Sequence, residues 1–159
     1  MPESNRSRDG ASAIVLGFDF GTQRIGVAVG DTVTGAARPV CTLERRGDTH
    51  LQRIGRLIAE YAPQRLLVGV PYNMSGTATS LTRPAVDFAR ELEQRFGLPV
   101  ALVDERQSSR EAEAALREAR RTGQRRRRTT HADVDREAAR VIVERWLAGE
   151  PALDRSRAC

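Results

Sequence analysis

Three acidic residues occupy positions where a carboxylate needs an explanation. Asp19 sits between Phe18 and Phe20 inside an apolar run. Aspartate is disfavoured in strands and an unpartnered buried carboxylate is costly, so a bound cation is one reading of it. Hydrogen bonds from the Gly21-Thr22 turn, or an ion pair with Arg24, are the others. Glu105 lies in Val103-Asp104-Glu105-Arg106, just after an expected strand, at the carboxyl edge where sites in α/β proteins form. Arg106 holding either acid as a surface pair accounts for that run equally well. Asp135 shares one helical face with Ala138, Ala139, Ile142 and Trp146, the face that must pack on a sheet. Asp133 falls about 200° around the same helix, where it reads as first-turn charge favoured by the helix dipole. The dipole is also an open explanation of Asp135.

Brought together from separate elements, Asp19, Glu105 and Asp135 would suit Mg²⁺ or Mn²⁺, hard cations that take oxygen ligands. Two such ions would activate a water and stabilise a leaving oxygen in an in-line displacement at phosphorus. The chain has no Lys to act as base or clamp and no evident Cys-His pair. His131 could move protons or touch a phosphate, although a loop histidine more often faces solvent, and His50 is expected to do the same.

The elements that must position these residues follow from periodicity. Residues 15–20 read as a buried strand, Gly21 to Arg24 as a turn, and 25–30 as an alternating strand, which together make a hairpin. Residues 37–43 supply a third strand, and Leu51, Ile54, Leu57 and Ile58 mark one face of a helix. Residues 65–70 form a fourth strand closed by Pro71. A helix with Leu81, Ala85, Phe88, Ala89, Leu92 and Phe96 on one face stops at Gly97, and 99–103 form a fifth strand. Ser108 with Glu111 matches a capping box opening another helix. Residues 122–132 form a basic loop, and a last helix runs over about 133–148, ended by Gly149 and Pro151. A meander followed by βα units predicts an α/β fold with a five-stranded mixed sheet flanked by helices. One domain is expected over residues 13–150, with 1–12 and 151–159 as disordered tails.

The net charge of +5 and a pI near 10.4 favour a polyanionic partner. Every one of the 26 basic residues is Arg, whose planar fork matches phosphate. Arg125, Arg126, Arg127 and Arg128, with Arg120 and Arg121 upstream, are therefore candidates for gripping a nucleic-acid backbone; a solvated loop in an Arg-biased sequence is the plainer account. Cys41 and Cys159 supply neither a disulfide framework nor a zinc set, which fits a reducing cytoplasm. No apolar segment has the length of a bilayer span or the pattern of a signal peptide, so no membrane partner is expected.

The order of motifs resembles a known family. Asp19-Phe20-Gly21-Thr22-Gln23-Arg24-Ile25-Gly26-Val27-Ala28-Val29 comes first, followed by Val68-Gly69-Val70-Pro71-Tyr72-Asn73-Met74-Ser75-Gly76 and Phe96-Gly97-Leu98-Pro99-Val100. Asp104-Glu105-Arg106, Glu111-Ala112-Glu113 and Val134-Asp135 before Ala138-Ala139 complete the series. Together they resemble the RuvX/YqgF family of pre-16S rRNA nucleases, also called Holliday-junction-resolvase-like proteins, over residues 16–147. The resemblance implies a ribonuclease H-like fold, and a metal-dependent nuclease acting on structured RNA (precursor rRNA) or branched DNA. It carries the acidic triad onto Asp19, Glu105 and Asp135. Arg24 falls inside the first motif and joins the Arg run as an expected nucleic-acid contact. Gly30, Ser75 and Gln107-Ser108-Ser109 depart from the family's usual residues without touching the triad.

Two other readings compete. Asp19-Phe20-Gly21-Thr22 also resembles the first phosphate loop of actin- and sugar-kinase-type ATPases, which need a second domain absent from this sequence. A catalytically silent nucleic-acid-binding module is the alternative of another class, and three intact acids argue against it. If the fifth strand lies two places from the first, at spacings near 4.8 Å, Glu105 must lean inward to share a site with Asp19.

Overall fold

The computed structural model describes residues 13–73, 75–106, 108–123 and 129–153, the side chains of residues 108–110 excepted. Five strands form the sheet: β1 (Ile14–Phe20), β2 (Arg24–Asp31), β3 (Ala37–Glu44), β4 (Arg65–Val70) and β5 (Val100–Asp104). Four helices follow in turn, α1 (Thr49–Tyr61), α2 (Thr82–Phe96), α3 (Ser108–Arg121) and α4 (His131–Leu147). The strand order is β3-β2-β1-β4-β5. The β1–β2 and β2–β3 pairs are antiparallel, as the meander requires, and the two βα crossovers make β1–β4 and β4–β5 parallel. The expected mixed five-stranded α/β architecture is what the chain adopts.

Alternation along the strands separates two cores. Leu16, Phe18 and Phe20 on β1, with Leu66, Val68 and Val70 on β4, pack beneath α1 and α2 against Leu51, Ile54, Phe88 and Leu92. The opposite face carries smaller residues, Val15, Ala28, Leu67, Ala101 and Val103, and takes Ala139, Ile142 and Val143 of α4. Glycines bring α4 close. A Cβ at Gly17 or Gly30 would strike Val143, and one at Gly26 would collide with the backbone of Asp135. Asp19 belongs to this α4 face, two places along from Gly17.

Three local expectations need correction. The last helix begins at His131 rather than near Asp133, because Thr130 is its N-cap. The Thr130 hydroxyl accepts from the Asp133 N–H, while the Asp133 carboxylate accepts from the Thr130 N–H at 2.9 Å, a reciprocal capping box. Asp133 is consequently buried and also pairs with Arg136, so it is more than loose first-turn charge. His50 is likewise buried, in the first turn of α1 beside the Phe88 ring. Burial and the nearby Arg45 charge hold its pKa below the usual histidine value. Beyond α4 the chain continues against the sheet: Leu153 donates its N–H to Leu102 O and packs on the larger core. Residues 1–12 and 154–159, the side chain of Ser108 with its expected cap, and Arg125 to Arg128 lie outside the described residues.

Candidate active site

The geometry at Asp19 is set by what flanks it. Its register partners are Gly26 on β2 and Gly69 on β4, so the carboxylate stands between two positions with no side chain. Gly69 in turn faces Val103 on β5. Val103 points to the α4 face, and alternation puts Glu105 on the same face one step beyond the strand. Glu105 continues the ladder by donating its N–H to Val70 O at 3.2 Å. Its carboxylate then lies over β4, with Oε2 3.0 Å from where a Cβ on Gly69 would be, and meets Asp19 in a side-chain hydrogen bond. The inward lean demanded by the two-strand separation is therefore present, and the missing side chain at Gly69 is what permits it.

Asp135 enters from the other flank. The bare surface of Gly26 lets the first turns of α4 rest on β2, and Thr42 Oγ1 on β3 fixes that end by donating to Ala132 O at 2.7 Å. Asp135 is close enough for its charge to act on Asp19, yet its own Oδ2 receives Arg24 Nε at 2.6 Å. Arg24, one of the alternative partners for Asp19, thus serves Asp135. Arg106 likewise divides the Asp104-Glu105 pair. It bonds Asp104 through its backbone N–H at 2.9 Å and through Nε and Nη2 at 2.7 and 2.5 Å, which leaves Glu105 to Asp19.

The electrostatics follow from this crowding. Burial pushes the Asp19 carboxyl up; the hydrogen bond from Glu105 offsets part of that and the Asp135 charge adds to it, for a value of about 6. Asp104 goes the other way. Burial opposes its charge, but the Arg106 hydrogen bonds and the Arg106 and Arg145 charges hold it below the usual carboxylate range. Among the described residues no group of three or more His, Cys, Asp and Glu side chains is drawn into one metal-binding set. Asp19 and Glu105 are bound to each other, and Asp135 is bound to Arg24. The donor set nevertheless fits a hard cation, since it is all oxygen, and two of its carboxylates share a hydrogen bond that needs a proton where a cation would need none.

Comparison with known proteins bears on this arrangement. A family model described as "RuvX: Holliday junction resolvase" matches residues 13–149. The chain belongs to the RuvX family. A family member from Azotobacter vinelandii, named "Putative pre-16S rRNA nuclease", is 44% identical over 141 residues, covering 87% of this chain and 96% of its own. A member of the same name from Burkholderia cenocepacia is 45% identical over 136 residues, covering 85% and 89%. Among solved structures, Thermus thermophilus RuvC in complex with a Holliday junction substrate superposes with a TM-score of 0.52 at 16% identity, covering 88% of this chain and 99% of that one. Fowlpox virus resolvase with Holliday junction DNA gives 0.51 at 10% identity, covering 85% and 97%. At such identities the structural likeness speaks for the ribonuclease H-like fold, which this RuvX member adopts.

His131 opens α4 and lines a groove of about 560 Å³ with Glu113, Arg117, Arg120 and Val134. Sequence reasoning named the three acids but missed the parts that set their distances: Gly26, Gly69, and the pairing of Arg24 with Asp135. Glycine inside an otherwise β-rich run was the available signal, because it weakens a strand and marks a close approach.

Proposed function

We propose that this chain is a metal-dependent nuclease that hydrolyses phosphodiester bonds in structured nucleic acid, with Asp19, Glu105 and Asp135 as catalytic metal ligands. The observation that carries the reading is the meeting of Asp19 and Glu105 across Gly69 with Asp135 alongside. Structural carboxylates are normally each given a cation; here the half-buried Asp19 and the buried Glu105 are given to one another. Mg²⁺ or Mn²⁺, as a pair of ions, would supply charge stabilisation for in-line displacement at phosphorus. The protein's part is to keep the carboxylates in register. Glu105 is held by the continued β4–β5 ladder, Asp19 by its central strand, and Asp135 by a helix capped at Thr130 and seated on Gly26. The Asp19–Glu105 pair must shed its shared proton to bind a cation, and Asp135 must exchange Arg24 for it.

The substrate favoured is pre-16S rRNA, cut at its 5′ end in the cytoplasm; the name of relatives 44–45% identical over nearly their whole length supports the choice of precursor rRNA. Arg24 and the segment Arg125 to Arg128 are the proposed backbone contacts, of which only Arg24 lies among the described residues. Among the described residues no helix is long and apolar enough to cross a membrane. The family model's description favours cleavage of Holliday-junction DNA as the second reading. Purified protein offered a 5′-extended 16S rRNA fragment and a four-way DNA junction, each with Mg²⁺, Mn²⁺ or chelator, separates the two. Metal-dependent cutting of the RNA is expected. Cutting of the junction alone would favour the resolvase, and cutting of neither would leave a silent binding module.

A further inference from the structure

A second polar pocket, of about 270 Å³, adjoins the acidic site and is lined by Thr22, Gln23, Arg24, Glu44, Arg45 and Arg46. It is built on the turn that begins two residues after Asp19 and is closed by Arg45 donating its N–H to Gln23 O at 2.9 Å. Three guanidiniums face one carboxylate there, and Glu44 is already engaged by Arg46 at 3.3 Å. Arg45 is held rigidly. Its Nη1 donates to Gly21 O at 3.3 Å and Thr22 O at 3.0 Å, and its guanidinium lies 4.5 Å from the centroid of the Phe20 ring. It nevertheless has no carboxylate partner among the described residues, and its Nε is buried without a hydrogen bond. A fixed guanidinium that no carboxylate neutralises, beside two further Arg forks, is chemistry suited to phosphate oxygens.

Arg24 is the wall common to this pocket and the acidic site, because the same side chain that lines the pocket holds Asp135. We propose that the pocket binds a backbone phosphate flanking the scissile one, and that Arg24 passes from Asp135 to that phosphate as the pocket fills. The inference rests on the nuclease reading for its substrate. Released from Arg24, Asp135 is a carboxylate without its counter-charge next to Asp19, and the demand for a cation there rises. Seating of nucleic acid and loading of metal are thereby coupled, and linkage requires each to strengthen the other equally. Arg24 acts here as a positioning residue through Asp135.

The test measures binding and needs no turnover. A non-cleavable, 2′-O-methylated and phosphorothioate-substituted RNA hairpin is titrated into the full-length protein with chelator present, and in a separate chelator-free titration free Mn²⁺ is followed by electron paramagnetic resonance with and without saturating hairpin. Arg45→Gln and, as a fully surface-placed check, Arg46→Gln should each weaken hairpin binding about tenfold and lower the log-log salt slope by about one. Arg24→Gln should bind Mn²⁺ several-fold more tightly than wild type without RNA, and the hairpin-induced gain in Mn²⁺ affinity seen in wild type should vanish. Unchanged hairpin affinity in both Arg45→Gln and Arg46→Gln would overturn the pocket, and unchanged Mn²⁺ affinity in Arg24→Gln would overturn the hand-over. If the protein cut no substrate while these binding shifts appeared, the nuclease reading alone would fall.

Discussion

Asp19 and Glu105 share a hydrogen bond across the bare backbone of Gly69, although their strands are separated by β4. Two carboxylates in that relation cannot both be ionised cheaply, and the pair carries a proton at pH values where an ordinary carboxylate has none.

Removing that strain should stabilise the protein. The folded-state pKa of Asp19 is about 6 against an ordinary aspartate value of 3.8. Its proton is thus held more tightly folded than unfolded, and stability falls as pH rises from about 4 through 6. At pH 8 the difference is on the order of 3 kcal/mol. Asp19→Asn should raise Tm by a few degrees at pH 8 and by much less at pH 4.5, while abolishing cleavage. Mg²⁺ should raise the Tm of wild type and leave that of the variant unchanged. Thermal melts across pH check this, and a variant less stable than wild type at pH 8 would contradict it.

The same titration shapes activity. Because Asp19 must be ionised to hold a cation, the cleavage rate at subsaturating Mg²⁺ should rise about tenfold per pH unit below about 6 and level off above it. Excess Mg²⁺ should move the midpoint to lower pH, since cation and proton compete for one oxygen. A midpoint indifferent to Mg²⁺ concentration would remove Asp19 from the metal site.

Gly69 and Gly26 should respond differently to a single methyl. At Gly69 the added Cβ meets the end of the Ile142 side chain and Glu105 Oε2. Ile142 can turn aside, whereas Glu105 loses its path to Asp19. Gly69→Ala is expected to cost about 1–2 kcal/mol and to lower cleavage by at least a hundredfold. At Gly26 the obstacle is the Asp135 backbone, so α4 itself must move, and Gly26→Ala should cost about 3 kcal/mol or more. Urea unfolding set beside cleavage rates distinguishes the two. Near-normal cleavage by Gly69→Ala would mean that Glu105 reaches its partner by another route.

The glycine positions also show what the sequence could not convey. Strand and helix periodicity, Pro71 and Gly97 as stops, and the helical face of Asp135 are local signals, and apart from the earlier start of α4 the elements formed close to where they were expected. The approach of Glu105 to Asp19 depends on the register of three strands, and the Arg24–Asp135 pair joins residues 111 apart in the chain; neither is written in any short window. His50 reads as a solvent-facing histidine and Asp133 as first-turn dipole charge because no neighbour in the chain announces a buried partner. Phe88, which packs on His50, and Arg136, which neutralises Asp133, become visible only after packing.

Asp133 and Asp135, two residues apart on α4, should separate stability from catalysis. Asp133 is buried, closes the Thr130 capping box and pairs with Arg136. Its amide replacement keeps the size but gives up a charge-assisted cap, so Asp133→Asn should lose about 1–2 kcal/mol of stability. Cleavage well below its Tm should fall less than threefold, because α4 still docks through Ala138, Ala139 and Ile142. Asp135 is only partly buried, and its partner Arg24 can turn to solvent. Asp135→Asn should therefore change stability by less than about 1 kcal/mol and lower cleavage by two orders of magnitude or more, as expected for loss of a metal-holding carboxylate. Matched urea curves and cleavage assays on the two variants provide the measurement. Full activity in Asp135→Asn with its loss in Asp133→Asn would exchange their roles and place the third carboxylate beneath α4 rather than beside Asp19.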